Sequence, residues 1–333
     1  LIPVLLRYHQ IPIPSVFTIH NMEYQGKTSP EAVEDVLGLP YALYTDGLLR
    51  FDGCVNLLKA ALYAANAVTT VSPSYAVELH DPYFACGLSQ AVTDNAGKLH
   101  GILNGLDLHA YAPVTGFGIE TPFCAEDLSG KRACKTALQY AFGLDPNPDA
   151  MVIGCVSRLV EHKGFDLVTA ELEEIMQRPV QLVILGSGEP RFADAFSQAA
   201  QWYSGRLSAH ILYSESLSRQ IYAGADLFLM PSRSEPCGLA QMIAMRYGTL
   251  PLVHAVGGLR DTVCPYPSDH ATGFSFPWYD PRELLQTLDT ALTVFHTQPD
   301  VWQAMMRRAM TIDFGWERSA SAYLELYHQM LRS

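Results

Sequence analysis

From Met151 onward, short apolar runs alternate with helix-length segments, and this alternation constrains the fold more than any other feature of the chain. The runs "MVIGCVS" (151–157), "QLVILG" (181–186), "HILYS" (210–214), "DLFLMPS" (226–232) and "TLPLVHA" (249–255) are of strand length and rich in Val, Ile and Leu. Strands buried on both faces read in this way. The segments between them, "FDLVTAELEEIMQR", "PRFADAFSQAAQWYSG", "LSRQIYAGA" and "GLAQMIAMRYG", carry apolar residues at helical spacing. The pattern predicts a parallel, doubly wound α/β sheet.

The first part of the chain is similar but sparser. "SVFTIHN" (15–21) and "AVTTVSP" (67–73) read as strands, "GCVNLLKAALYAA" (53–65) as a helix between them, and "KLHGILNGLD" holds another short strand. Two α/β units are expected, joined near "APVTGFGIETPFCAEDLSG" (112–130), where turn formers cluster and periodicity fades. The boundaries read as 1–115 for a partial N-terminal domain, 116–312 for a C-terminal one, and 313–333 for a terminal helix. The first unit is too short for a complete doubly wound domain. In the tail, Tyr323, Leu324, Tyr327 and Leu331 are expected on one packing face. The chain opens at Leu1 in what reads as the tail of a helix, so an upstream segment is expected.

A net charge of -12, from 22 basic and 34 acidic residues, argues against nucleic acid, whose phosphates call for a basic face. No apolar run approaches the ~20 residues of a membrane helix, and the opening "LIPVLL" meets Arg7 without a basic n-region or a small-residue cleavage site, so a soluble protein is expected. The 7 cysteines are scattered without a Cys-x-x-Cys pair, which fits a reducing cytoplasm and small core side chains better than a zinc or disulfide framework. Neither an Asp-x-Asp pair nor His-Glu-x-x-His occurs, so no metal is expected. A nicotinamide enzyme is disfavoured because no full dinucleotide glycine fingerprint follows a strand.

In an open parallel sheet, ligands bind where loops leave the carboxyl ends of the strands. Those loops here are "SRLVEHKG" with Arg158 and Lys163, "GSGEPRF", the segment bearing Tyr213 and Glu215, "SRSEPCGLAQ", and "VGGLRDT". Together they supply cations, glycine turns, an aromatic and a carboxylate, a set that suits a nucleoside diphosphate carrying a sugar. Arg158 and Lys163 side by side suggest an anion between them, the alternative being a solvated loop. The glycines of "GGL" at 257–259 let backbone N–H groups approach phosphate before a helix start. "GSGEP" lacks the spacing of a phosphate loop and reads as an ordinary turn. Glu235 falls before a helix start, where the dipole favours an anion able to accept bonds from sugar hydroxyls; plain capping is the alternative. Pro236 stiffens this turn and Gly238 permits close backbone approach. Cys237 shares the dipole environment, but no His in its loop would deprotonate it, which disfavours a nucleophile.

The stretches "FTIHNMEYQG", "VNLLKAAL", "VTTVSPSYAVEL", "GILNGLD", "SRLVEHKGFDLV", "DFGW" and the run through "MPSRSEPCGLAQMIAMRYG" to "VGGLRDTV" resemble the bacterial glycogen synthase and plant starch synthase family, in unbroken order from about Val16 to the C-terminus. The resemblance implies a GT-B fold of two Rossmann-like domains, the N-terminal one incomplete here, with a cleft between them and a last helix returning to the N-terminal domain. It implies transfer of glucose from ADP-glucose to the non-reducing end of an α-1,4-glucan with retention, and no cofactor besides the nucleotide-sugar donor. By the same resemblance Arg158 and Lys163 bind the diphosphate, Tyr213 packs on the adenine and Glu235 holds the donor glucose. Cys237, Gly238 and Leu239, with Gly257, Gly258 and Leu259, line sugar and phosphate, while His20 and Asn104 serve from the N-terminal domain. The sequence departs from the family at Ser234, where an aromatic is usual, and at Ala240 and Val256, where hydroxyl residues are usual. The family's opening Lys-x-Gly-Gly-Leu loop and its His-Asp-Trp segment do not occur. A fragment or truncated relative is therefore expected, with a non-catalytic glucan- or nucleotide-binding protein as the alternative.

Overall fold

The computed structural model describes residues 1–114, 116 and 119–332, and its contacts divide the chain into two units, Leu1–Asn104 with Glu317–Ser333, and Gly105–Trp316. The expected boundary between 115 and 116 and the end of the tail at 333 fall on or beside residues outside this description.

In the first unit β1 (Val16–Ile19) opens a parallel sheet. It is followed by β2 (Lys27–Thr28), β3 (Arg50–Phe51), β4 (Cys54–Asn56), β5 (Ala67–Thr70) and β6 (Leu99–Gly101). The parallel sheet has the order β1-β5-β6, with Val16 opposite Ala67 and Val68 opposite Leu99. Ile19, Met22, Leu58, Leu62, Val68, Tyr75 and Leu79 form the core against its central strand. Strands β2, β4 and β3 make a small antiparallel sheet.

The helix expected over 53–65 is corrected here. Its first residues are β4, and the helix runs Leu57–Ala64 with the Asn56 side chain accepting from Lys59 N at 2.9 Å. The cause is a two-residue hairpin, in which Asp52 (φ 48°) and Gly53 (φ 74°) both take the left-handed region and pair Phe51 with Cys54. An Asp-Gly pair is the usual signal for this turn.

The second unit is built on one six-stranded sheet. Its strands are β7 (Met151–Val156), β8 (Val180–Leu185), β9 (Leu207–His210), β10 (Leu227–Met230), β11 (Leu250–His254) and β12 (Phe274–Phe276), in the order β12-β11-β10-β7-β8-β9. Every neighbouring pair is parallel. Strand β9 ends at His210, earlier in the chain than the run "HILYS" predicts, because the less apolar Leu207–Ala209 does the pairing with Leu182–Ile184. The edge strand β12 and the helices Pro281–Thr297 and Pro299–Thr311 complete the unit. Chain order runs outward from β7 in both directions, so β7 and β10 are adjacent strands whose connections diverge, and the crevice above their carboxyl ends is where such sheets bind ligands.

The last helix spans Trp316–Arg332, and its packing face differs from expectation. Leu326 packs with Ala67 and Ile102, joined by Ala322, Tyr323 and Met330, whereas Leu324, Tyr327 and Leu331 are exposed. Ser319 Oγ donates to Leu103 O at 2.5 Å and fixes the helix rotation. The cysteines are all free thiols; Cys134, Cys155 and Cys237 are buried, but Cys86 and Cys124 are exposed, which corrects the expectation of core side chains throughout.

Candidate donor site

Above β7 the chain turns through Arg158–Gly164. Val160 N donates to Arg158 O at 3.0 Å, Lys163 N donates to Val160 O at 3.0 Å, and Gly164 at φ 81° starts the next helix. Gly164 is required twice, by its dihedral and because a Cβ there would lie 1.9 Å from Pro231 O. The turns above β7 and β10 are thereby pressed together. Arg233 N donates to His162 O at 2.9 Å across the same seam.

The seam brings Lys163 onto Glu235. Lys163 Nζ donates to Glu235 Oε1 at 2.9 Å and to Oε2 at 2.7 Å, and Ser232 Oγ donates to Oε2 at 3.0 Å. The Glu235 side chain is only 8% exposed and that of Lys163 19%. A carboxylate this buried depends on such donors in place of the water it has lost. The helix after it begins only at Ala240, so the helix dipole is not what holds Glu235; the ammonium and the serine hydroxyl are. The expected placement of an anion between Arg158 and Lys163 is modified likewise, because the Lys163 charge is matched by Glu235, while Arg158 stands exposed in the same turn.

The rest of the turn is stitched by backbone. Gly258 N donates to Glu235 O at 3.0 Å, and a Cβ on Gly258 would sit 2.0 Å from Cys237 O, so "GGL" is glycine because two turns cross there. Gln241 Nε2 donates to Cys237 O at 3.1 Å, Gly238 O at 2.8 Å and Thr262 Oγ1 at 3.0 Å. Gly238 adopts φ 69° and Gly257 φ 46°, and Leu259 is fully buried beneath them. Cys237, Gly238, Leu239, Gly257, Gly258 and Leu259 thus share one turn cluster with Glu235, and the buried Cys237 contributes its carbonyl to it. "GSGEP" braces the turn above β7, since a Cβ on Gly186 or Gly188 would meet Ser157 O at 1.8 Å or Leu159 O at 2.2 Å.

Tyr213 follows β9 and is 85% exposed, beside Ser214, whose hydroxyl accepts from Leu217 N at 3.3 Å to cap the next helix. In the first unit, exposed His20 directly follows β1 and partly buried Asn104 follows β6, both at the carboxyl ends of that unit's parallel sheet. A concavity of about 880 Å³ lined by Lys131, Lys135, Asp226, Phe295 and Trp302 lies by the amino end of β10. Its lysines are occupied internally, Lys131 by Tyr222 O, Ala223 O and Thr249 Oγ1, and Lys135 by Asp226, Pro148 O and Ala150 O. Among the described residues no three His, Cys, Asp or Glu side chains are grouped to hold a metal ion, and no helix is long and apolar enough to cross a membrane.

Residues 1–94 match the family model described as starch synthase catalytic domain, and residues 139–294 the model described as glycosyl transferases group 1. Glycogen synthase of Streptococcus pneumoniae (strain Hungary19A-6) is 48% identical over 321 residues, covering 96% of this chain and 67% of the relative. The chain belongs to the glycogen synthase and starch synthase family. The catalytic domain of Starch Synthase IV from Arabidopsis thaliana, bound to ADP and acarbose, superposes with a TM-score of 0.90 at 34% identity, covering 96% of this chain and 67% of that one. Sucrose-phosphate synthase from Thermosynechococcus elongatus, at 21% identity and a TM-score of 0.62, shares the fold, covering 98% of this chain and 70% of its own. This glycogen synthase family member is accordingly a glycosyltransferase of GT-B fold.

Several supporting residues were not read from its sequence. Ser232 and His254 sit at or just past strand ends, Gln241 at the start of one helix and Thr262 at the end of another, where a single polar side chain gives no motif. His254 is buried, donates Nδ1–H to Ser232 O at 2.8 Å and stacks on Phe276. Burial holds its pKa below the usual histidine value, opposed by the Ser232 carbonyl that it bonds. The unfolded chain therefore takes up this proton first as pH falls, and stability is lost as pH drops below the unfolded value of about 6.5. The loss of urea midpoint between about pH 7.5 and about pH 5.5 is expected to be smaller in His254→Gln than in the unaltered protein; an equal loss in both would remove His254 from this account.

Proposed function

We propose that this chain transfers glucose from ADP-glucose to the non-reducing end of an α-1,4-glucan with retention of configuration. The observation that carries the reading is the buried Lys163–Glu235 pair with Ser232 at the switch point of the second unit's sheet, in a member of the glycogen and starch synthase family. The solved starch synthase bound to ADP and acarbose supports a nucleotide donor and a glucan acceptor.

In this reading the second unit is the nucleotide-sugar side and the first the acceptor side. Arg158 and Lys163 meet the charge that grows on the departing diphosphate, stabilising the transition state more than the bound donor. Glu235 accepts bonds from the donor sugar, Tyr213 packs on the base, and the amides of 237–239 and 257–259 line sugar and phosphate. His20 and Asn104 act on the same reaction from the first unit. The acceptor hydroxyl attacks from the face that the diphosphate leaves. The free thiols support a reducing cytoplasm as its setting.

The experiment is incubation with ADP-glucose and a malto-oligosaccharide, with chain length and ADP release measured together. Elongation matched by ADP release is expected. Binding of ADP without any elongation would favour a nucleotide-binding relative that has lost transfer.

A further inference from the structure

Tyr279 belongs to no motif, yet two separate chains of contacts join it to the turn that carries Glu235. It lies in the turn leaving β12, just before the helix Pro281–Thr297. Its hydroxyl donates to Asp166 Oδ1 at 2.5 Å, and Asp166 Oδ2 accepts from Arg233 at 2.9 Å. The Arg233 guanidinium lies 4.8 Å from the Tyr279 ring centroid and also reaches Glu161 Oε1 at 3.1 Å. The same ring meets His254 edge-on at 5.4 Å, and His254 holds the Ser232 carbonyl. Ser232 in turn donates to Glu235, and Arg233 is its chain neighbour.

Each contact alone would be loose. Arg233 and Asp166 keep 32% of their side chains exposed, and ion pairs at that exposure contribute little by themselves. The ring changes this, because it covers one face of the guanidinium and fixes one carboxylate oxygen, so the pair loses the freedom that weakens exposed bridges. A carboxylate acting on a sugar has to be placed to within about 0.5 Å.

We propose that Tyr279 is a positioning residue, which holds the Ser232–Glu235 turn in register through Asp166 and Arg233 on one side and His254 on the other. The inference rests on the proposed role of Glu235, and its first readout does not depend on that role.

The readout is hydrogen–deuterium exchange of the unliganded protein in Tyr279→Leu, Tyr279→Phe and Asp166→Asn variants. Amides of 232–235 are expected to exchange about tenfold faster in Tyr279→Leu, with the strands of the same unit unchanged. Tyr279→Phe keeps the ring and loses only the Asp166 bond, so it should fall between, and its effect combined with Asp166→Asn should be less than the sum of the two, because they share that bond. In glucosyl transfer, kcat of Tyr279→Leu should fall about a hundred-fold with KM for ADP-glucose within about twofold, as a small misplacement does. Unchanged exchange at 232–235, or exchange raised equally through the whole unit, would overturn the proposal. Should Tyr279→Leu not fold, the Phe and Asn variants carry the same comparison. If the unaltered protein transfers no glucose but local exchange still rises, the positioning role of Tyr279 stands and the proposed function fails.

Discussion

Replacing Glu235 by glutamine is expected to lower kcat for glucosyl transfer by about a thousand-fold while leaving the fold and ADP affinity nearly unchanged. Glutamine has the volume of the carboxylate and keeps one oxygen to accept from Lys163 and Ser232, but its amide nitrogen cannot accept the second of the two bonds that Lys163 makes at 2.7 and 2.9 Å. The loss in stability should stay at about 1–2 kcal/mol, the cost of exchanging charged for neutral hydrogen bonds. What is removed is the negative charge at the switch point of the sheet, and with it the strong acceptor proposed for the donor sugar. The measurement is kcat and KM for ADP-glucose beside ADP binding by calorimetry. A variant within tenfold of the unaltered rate would take Glu235 out of the reaction, and a collapse of ADP affinity would make it part of the nucleotide pocket instead.

How far this arrangement was legible in the sequence differs between its parts. Four strands of the six-stranded sheet are readable because strands covered on both faces are uninterrupted apolar runs, and β7, β8, β10 and β11 lie within a residue or two of where those runs fall, whereas the three-residue edge strand β12 is too short to stand out. Strand β9 was displaced because half of its pairing residues, Ser208 and Ala209, are not strongly apolar, whereas Ile211 and Leu212 beyond it are apolar and partly exposed. In the first unit β1, β5 and β6 fall inside the stretches that read as strands, whereas β2, β3 and β4 are only two or three residues long, too short for a period to show, and the Asp52-Gly53 hairpin is hidden inside a helix-like pattern.

The charges of the site were legible as residue types but not as partners. Arg158, Lys163 and Glu235 could be listed from strand-end loops, because those loops converge on one edge of a parallel sheet. That Lys163 pairs with Glu235, 72 positions away, depends on β7 and β10 being adjacent and on Gly164 lying against Pro231. Strand order is not written in local periodicity. The same holds for His254 and Tyr279, which reach the turn around Glu235 only because β11 and β12 continue the sheet beyond β10. In each case the missing information was which turns are neighbours, and the glycines whose Cβ would collide with a facing carbonyl are its most direct trace in the chain.

Replacing Lys163 by methionine should be costly in two ways that a second substitution separates. Glu235 would keep the Ser232 hydroxyl as a side-chain donor, while its carboxylate stays largely buried, at 8% exposed. Breaking a buried pair by removing one member leaves an uncompensated charge, and here the expected loss is about 3 kcal/mol, at the low end of the range because Lys163 itself keeps 19% of its side chain exposed. Activity should fall by at least about a thousand-fold, because the ammonium proposed to meet the leaving diphosphate is gone. Adding Glu235→Leu to Lys163→Met removes the stranded charge, so the double variant should regain most of the lost stability and none of the activity. Urea unfolding of the single and double variants gives the coupling between the two residues directly. Additive losses in stability would mean that the pair contributes nothing as a pair. A double variant that regained activity along with stability would show that the ion pair serves only to hold the turns together, leaving the chemistry to other residues.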